Sequence, residues 1–152
     1  MASGVYDVGS MDILATRFRQ TAIPGTAYKL YLFDNGGSNA VATKTHDTYA
    51  DLTGAGAAEA TGGGYGEAAV AANSTDFDVS AAPAGYGHIQ LKDFSFTAVS
   101  TSIVGIYYAV LTDANGTENS RRLTCFWDLA GPHTVTAGST LTIQDAEIRI
   151  TT

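Results

Sequence analysis

Asp76 and Asp78 are the residues of this chain whose type and spacing come nearest to a reaction. They stand two apart in Asp76-Phe77-Asp78-Val79-Ser80, an alternating stretch that breaks at Pro83. Side chains repeat every second residue along a strand, so both carboxyls leave from one face. Paired carboxylates can serve as acid and base in glycoside hydrolysis, or bind Ca²⁺ together with backbone carbonyls. Acids are mostly exposed unless paired, so the expectation here is two solvated carboxylates on an exposed strand face. Asp113, Asn115 and Glu118 imitate part of a calcium loop. They lack its twelve-residue spacing and read as a hairpin turn.

The remaining candidates are weaker. His46, His88 and His133 stand alone, with no His-x-x-x-His or Cys/His spacing, and are expected as surface or packed imidazoles. Cys125 lies in Arg122-Leu123-Thr124-Cys125-Phe126-Trp127, with apolar flanks and no nearby His, and reads as a buried small hydrophobe. As the single cysteine it offers no disulfide within the chain, which suits synthesis in a reducing cytoplasm. Gly62-Gly63-Gly64 is not followed by the Gly-Lys-Ser/Thr of a phosphate cradle, and no Gly-x-Ser-x-Gly occurs. The expectation is therefore a non-enzyme with no catalytic residue, no cofactor and no metal site.

The elements that would position these residues are nearly all strands. Tyr28 to Phe33 has apolar residues on both faces and so reads as a central or interface strand, with Asp34-Asn35-Gly36-Gly37-Ser38 turning the chain after it. Residues 40–53 give at most a weak strand around Tyr49 to Leu52. Residues 54–72 are mostly Gly and Ala. Composition makes this tract a loop that stays mobile unless it packs on another surface, since glycine loses the most entropy on ordering.

His88 to Leu91 and Phe94 to Phe96 are in opposite phase, which places a bulge or corner at Lys92-Asp93. Ile103 to Leu111 and Asn119 to Trp127 flank Asn115-Gly116, the strongest short-range hairpin signal. Leu123, Cys125 and Trp127 face one way, and Trp127 is expected to be largely buried against Leu123, Phe94 or Phe96. A second phase switch at Gln144-Asp145 separates Thr140-Ile143 from Ala146-Ile150. Before all of these, Ser10 caps a short helix with Met11, Leu14, Ala15 and Phe18 on one stripe, ended by Pro24-Gly25. The fold class expected is all-β, a β-sandwich or jelly roll of seven or eight strands. Residues 1–27 form an N-terminal arm with its short helix, and 28–152 a single sandwich domain.

Charge narrows the partners. Of 152 residues only 15% are charged, and the net charge of −7 disfavours naked nucleic acid, since the only adjacent basic pair is Arg121-Arg122. That pair reads as solvated or as a subunit contact. No apolar run is long enough to cross a bilayer, and the first residues lack the basic and apolar regions of a secretory signal, so a soluble chain that is not exported is expected. A surface with so little charge suits packing against other chains.

Glu59-Ala60-Thr61-Gly62-Gly63-Gly64-Tyr65, the strand Ile103-Val104-Gly105-Ile106-Tyr107-Tyr108, the turn Asp113-Ala114-Asn115-Gly116 and the closing Ala137-Gly138-Ser139-Thr140-Leu141-Thr142-Ile143 come in the order seen in small β proteins of tailed bacteriophage virions. Over about residues 28 to 152 the chain resembles the capsid decoration, or cement, proteins of that group. The resemblance implies a jelly-roll-like homotrimer with extended arms, made in the host cytoplasm and located on the virion. Its partner would be the major capsid protein, with no direct nucleic-acid or membrane contact. It also implies that Gly64-Tyr65 leads into a strand running to about Ala71. Two other classes stay open: a head- or tail-fibre module that binds host carbohydrate through exposed Tyr and Trp, and a hydrolase or ligand-binding β domain.

Overall fold

A computed structural model describes residues 27–36, 41, 44–81 and 86–151. The expected N-terminal helix, the Pro24-Gly25 stop, the Gly37-Ser38 end of the first turn and the break at Pro83 lie outside the described residues. Within them the fold is all-β, as the sequence implies, with no closed barrel. In chain order the strands are β1 (Ala27–Phe33), β2 (Ala68–Ala71), β3 (Phe77–Ala81), β4 (Tyr86–Leu91), β5 (Phe94–Thr97), β6 (Ile103–Asp113), β7 (Leu123–Val135), β8 (Thr140–Ile143) and β9 (Glu147–Thr151). They make three sheets, ordered β2-β1-β6-β7, β3-β4-β9 and β5-β8.

The described residues group into two compact units, one from Ala27–Val70 with Phe94–Thr142, the other from Ala71–Asp93 with the chain from Ile143 onward. In the first unit β1 is central, as its two apolar faces demand: Leu30, Tyr31, Leu32 and Phe33 are all fully buried. It pairs antiparallel with β6 from Tyr28↔Asp113 to Phe33↔Tyr108. Tyr31, Phe33, Tyr108 and Val110 then form one core cluster with Val41, Tyr49, Leu52 and Ala57. The rings of Tyr31, Phe33 and Tyr49 meet at centroid distances of 5.2–6.1 Å, tilted or edge-on as aromatic quadrupoles favour.

Tyr49 and Leu52 reach that cluster from a helix, α1 (Tyr49–Gly54), and not from the weak strand expected there. The reason is local. Thr48 caps the helix through its hydroxyl to the Asp51 N–H, while the Asp51 carboxylate accepts the Thr48 N–H at 3.0 Å, a capping box that satisfies two otherwise orphaned donors. Tyr49 and Leu52, three residues apart, then fall on the buried side of a single turn and a half.

The Gly/Ala tract is built into the same unit. Ala60 N–H donates to the Leu32 carbonyl at 2.8 Å, and Thr61 and Val104 exchange both backbone hydrogen bonds at 3.2 and 2.9 Å. Val99 N–H donates to the Gly63 carbonyl at 2.8 Å, and Gly63 N–H to the Thr101 hydroxyl at 2.7 Å. At Gly62 φ is +151°, and a Cβ would collide with the Ser102 carbonyl oxygen and stand 2.7 Å from the Ile103 Cα. Only glycine lets the two backbones approach this closely. The tract meets the condition of packing on another surface, largely through backbone contacts that composition does not display. The strand expected to follow Gly64-Tyr65 ends at Ala71, as β2.

In the second unit β4 lies between β3 and β9, with Phe77, Ile89 and Leu91 buried. The chain breaks at Lys92-Asp93 between β4 and β5, and again at Gln144–Ala146 between β8 and β9, where Asp145 has φ +53°. Both breaks are at the predicted phase switches. At each one the chain leaves one sheet for another.

Candidate interaction surface

Asp76 and Asp78 do not form the pair that their spacing permits. Asp76 precedes β3, in a turn where its Oδ2 accepts the Ala71 N–H at 2.7 Å and its Oδ1 meets Lys92 Nζ at 2.6 Å. It is 4% exposed, a buried carboxylate satisfied by a cation and a backbone donor, and the expectation of a solvated acid is corrected for it. Asp78 is exposed on β3. Asp113 is buried as well; its Oδ1 accepts the Arg122 N–H at 3.0 Å and the Asn115 N–H at 3.4 Å, closing the β6–β7 connection. That connection is wider than a two-residue turn and holds a 3₁₀ turn at Glu118–Ser120.

The histidines are apart. His46 is half-buried beside α1, His88 of β4 stands 4.0 Å from Glu147, and His133 of β7 bonds the Leu129 carbonyl at 2.6 Å. Among the described residues no three His, Cys, Asp or Glu side chains are placed to hold a metal ion.

Charged groups do converge where the sequence offered no motif. Arg121 lies over the Tyr31 ring at 5.9 Å and donates to the Tyr31 hydroxyl, with Glu118 at 3.6 Å and Glu67 at 4.0 Å. Lys29 meets Glu67 at 3.4 Å. Beside them the Tyr49 hydroxyl donates to Glu59 at 2.7 Å, and the Tyr65 hydroxyl accepts the Leu32 N–H at 3.0 Å. Burial pushes the Glu59 carboxyl above the usual carboxylate range, against the hydrogen bonds from Tyr49 and Tyr65, and burial likewise raises both tyrosine hydroxyls. The Tyr31 hydroxyl in turn donates to Glu118 at 3.2 Å, so three carboxylates are met by two cations and three phenols. Such mutual engagement fixes the tract, β1 and the 3₁₀ turn to one another. The five charged residues come from three separate segments, so no local spacing could have revealed the whole cluster. Of the basic pair expected to be solvated or in a subunit contact, Arg121 is largely buried in this cluster and Arg122 is exposed.

Among the described residues a side left without a paired strand is on β7. Its side facing away from β6 is bridged only at its start, by Thr48↔Arg122 and by Leu123 N–H donating to the Asp47 carbonyl at 2.9 Å. From Thr124 on, no described strand pairs with that side. Leu123, Phe126, Trp127 and Leu129 are only half-buried along it. Trp127, expected to be largely buried, is half-buried, on a strand that pairs with β6 alone among the described strands. Beside β7 a groove of about 430 Å³ is lined by Val41, Leu52, Val110, Cys125 and Phe126, with Lys44 and His46 among its walls. Thr124 Oγ1 is buried there without a hydrogen-bond partner among the described residues. Cys125 is free, as expected, and burial pushes its thiol far above the usual range, so it is a poor nucleophile.

Scanned against protein-family models, curated proteins and solved structures, the chain matches none of them.

Proposed function

We propose that this chain is a structural protein of a tailed-phage virion, a capsid decoration protein that bridges major capsid subunits as a homotrimer and acts without turnover. The observation that carries the assembly reading is the margin of β7. An unpaired strand edge is a template for another chain, and soluble proteins ordinarily blunt it with charge, proline or a covering element. Here Leu123 to Leu129, ahead of Pro132 farther along β7, present Leu, Phe, Trp and Leu half-buried with Asp128 the single charge among them, next to a groove of mixed apolar and polar lining and a buried hydroxyl without a hydrogen-bond partner among the described residues. Thr124 Oγ1 is the kind of group whose desolvation cost a partner's hydrogen bond would offset. The low charge of the chain favours close, dry contacts. The virion assignment rests on the resemblance of the segments from Glu59 to Tyr65, Ile103 to Tyr108, Asp113 to Gly116 and Ala137 to Ile143.

Anything that binds an assembled lattice better than its separated parts stabilises the lattice. Particles carrying the chain should therefore withstand heating that makes stripped particles release DNA, and native mass spectrometry should give a closed oligomer. A strict monomer at micromolar concentration, on and off the particle, removes the reading. The half-exposed Trp127 favours one other: a fibre-type module that stacks sugars on it. Stripped particles that stay heat-resistant but no longer adsorb to cells would put that module in the first one's place.

A further inference from the structure

The dipeptide Asn-Gly occurs twice, at Asn35-Gly36 and Asn115-Gly116, and the fold treats the two oppositely. Asn-Gly is the sequence at which an asparagine amide is most open to attack by the following backbone nitrogen, because glycine puts no side chain in the way. We propose that Asn115 is a site of spontaneous deamidation in the folded protein and that Asn35 is protected.

At Asn35 both the attacking nitrogen and the amide oxygen are held. The Gly36 N–H, whose nitrogen would be the nucleophile, donates to Asp34 Oδ1 at 2.8 Å, and the same oxygen accepts the Ala58 N–H at 2.8 Å. Asn35 Oδ1 accepts the Tyr108 hydroxyl at 3.4 Å. Asn115 is the reverse case. It is exposed, it is anchored only through its own N–H to Asp113 Oδ1 at 3.4 Å, and neither its side-chain amide nor the Gly116 N–H has a hydrogen-bond partner among the described residues.

The reaction needs water and base alone. The Gly116 nitrogen, losing its proton to solvent base, bonds to the Asn115 Cγ; the Cγ–Nδ2 bond breaks and ammonia leaves. Water then opens the five-membered imide at one carbonyl or the other, giving aspartate or isoaspartate. Either product puts a new carboxylate next to the buried Asp113, whose Oδ1 closes this loop through Asn115 and Arg122. Isoaspartate also lengthens the main chain by one methylene just before Glu118 and Arg121, so ageing at this position strains the ion-pair cluster as well as the loop.

Incubation of the folded protein in heavy-oxygen water at mildly alkaline pH, followed by peptide mass spectrometry, tests this. Label is expected at Asn115 roughly tenfold or more faster than at Asn35, the ratio that a charged hydrogen bond on the Gly36 nitrogen can impose. In urea the two sites should react at similar rates. Asn115→Ser should abolish the fast site, and Asp34→Ala should speed labelling at Asn35. Equal labelling of the two sites in the folded state, faster labelling at Asn35, or no label at Asn115 under conditions that label both in urea would each overturn the proposal.

Discussion

The Gly/Ala tract and strand β7 exchange the roles their compositions suggest. The tract is mostly Gly and Ala and yet is tied by backbone hydrogen bonds to β1 and β6; β7 has Leu, Phe and Trp and leaves them half-buried. Burial follows position in the sheet as much as residue type. Glycine earns its place where two backbones must nearly touch, and a large ring is covered only where an element exists to lie over it. The pair therefore separates what holds the fold from what it offers to others.

The largest effect is expected at Gly62. Gly62→Ala forces a Cβ against Ser102 and Ile103 at a positive φ and should cost about 2–4 kcal/mol in urea unfolding. Gly66→Ala, in the same tract but with open space at the Cβ position, should stay within about 0.5 kcal/mol of the parent. Equal effects at the two positions would mean that the tract is ordered by composition and not by close approach.

On the other side, Trp127→Ala should cost about 1–2 kcal/mol in the isolated chain, less than the roughly 3–5 kcal/mol of a fully buried ring. Its larger effect should be on assembly, read as loss of the oligomer in native mass spectrometry. Thr124→Val removes a buried, unpartnered hydroxyl at nearly constant shape and should raise the free chain's stability by about 0.5–1 kcal/mol. If the same substitution weakens association, the hydroxyl serves a partner; if it strengthens both, the groove is only packing.

The smallest effect is a slope with pH. Because burial raises the Glu59 carboxyl, the folded chain holds its proton over a window in which the unfolded chain has lost it. Its contribution is thus fully present below the unfolded value and lost as pH rises through the folded one. Glu59→Gln, which imitates the protonated acid, should gain on the parent as pH rises from about 4 toward neutrality. A difference between the two proteins that is flat with pH, in urea titrations, would show the carboxylate to be fully compensated by its neighbours.

Much of the strand layout was legible because its signals are local. Tyr28 to Phe33 carries apolar side chains on both faces, and the two phase switches at Lys92-Asp93 and Gln144-Asp145 are breaks in the structure too. What the sequence hid depends on pairs of segments. The capping box of α1 uses Asp51 where Glu or Gln is the usual sign, in a helix too short to show periodicity. The cluster of Lys29, Glu59, Glu67, Glu118 and Arg121 exists only once β1, the tract and the 3₁₀ turn are side by side. The half-exposed Trp127 follows from the order β2-β1-β6-β7, which alternation along one strand cannot reveal.

The sheet β3-β4-β9 carries a consequence for the order in which the chain folds. Its central strand pairs on one side with β3, a short way back along the chain, and on the other with β9, from Gln90↔Glu147 to Tyr86↔Thr151. The long hairpin of β6 and β7 lies wholly within that interval. Closing a loop costs more entropy the longer it is, and β6–β7 contacts shorten the path between β4 and β9 once they exist. In pulse-labelled hydrogen exchange the amides of β6 and β7 should become protected before those that join β4 to β9, with the last strand acting as the fastener of a sheet that began forming some sixty residues earlier, roughly the span its register sets.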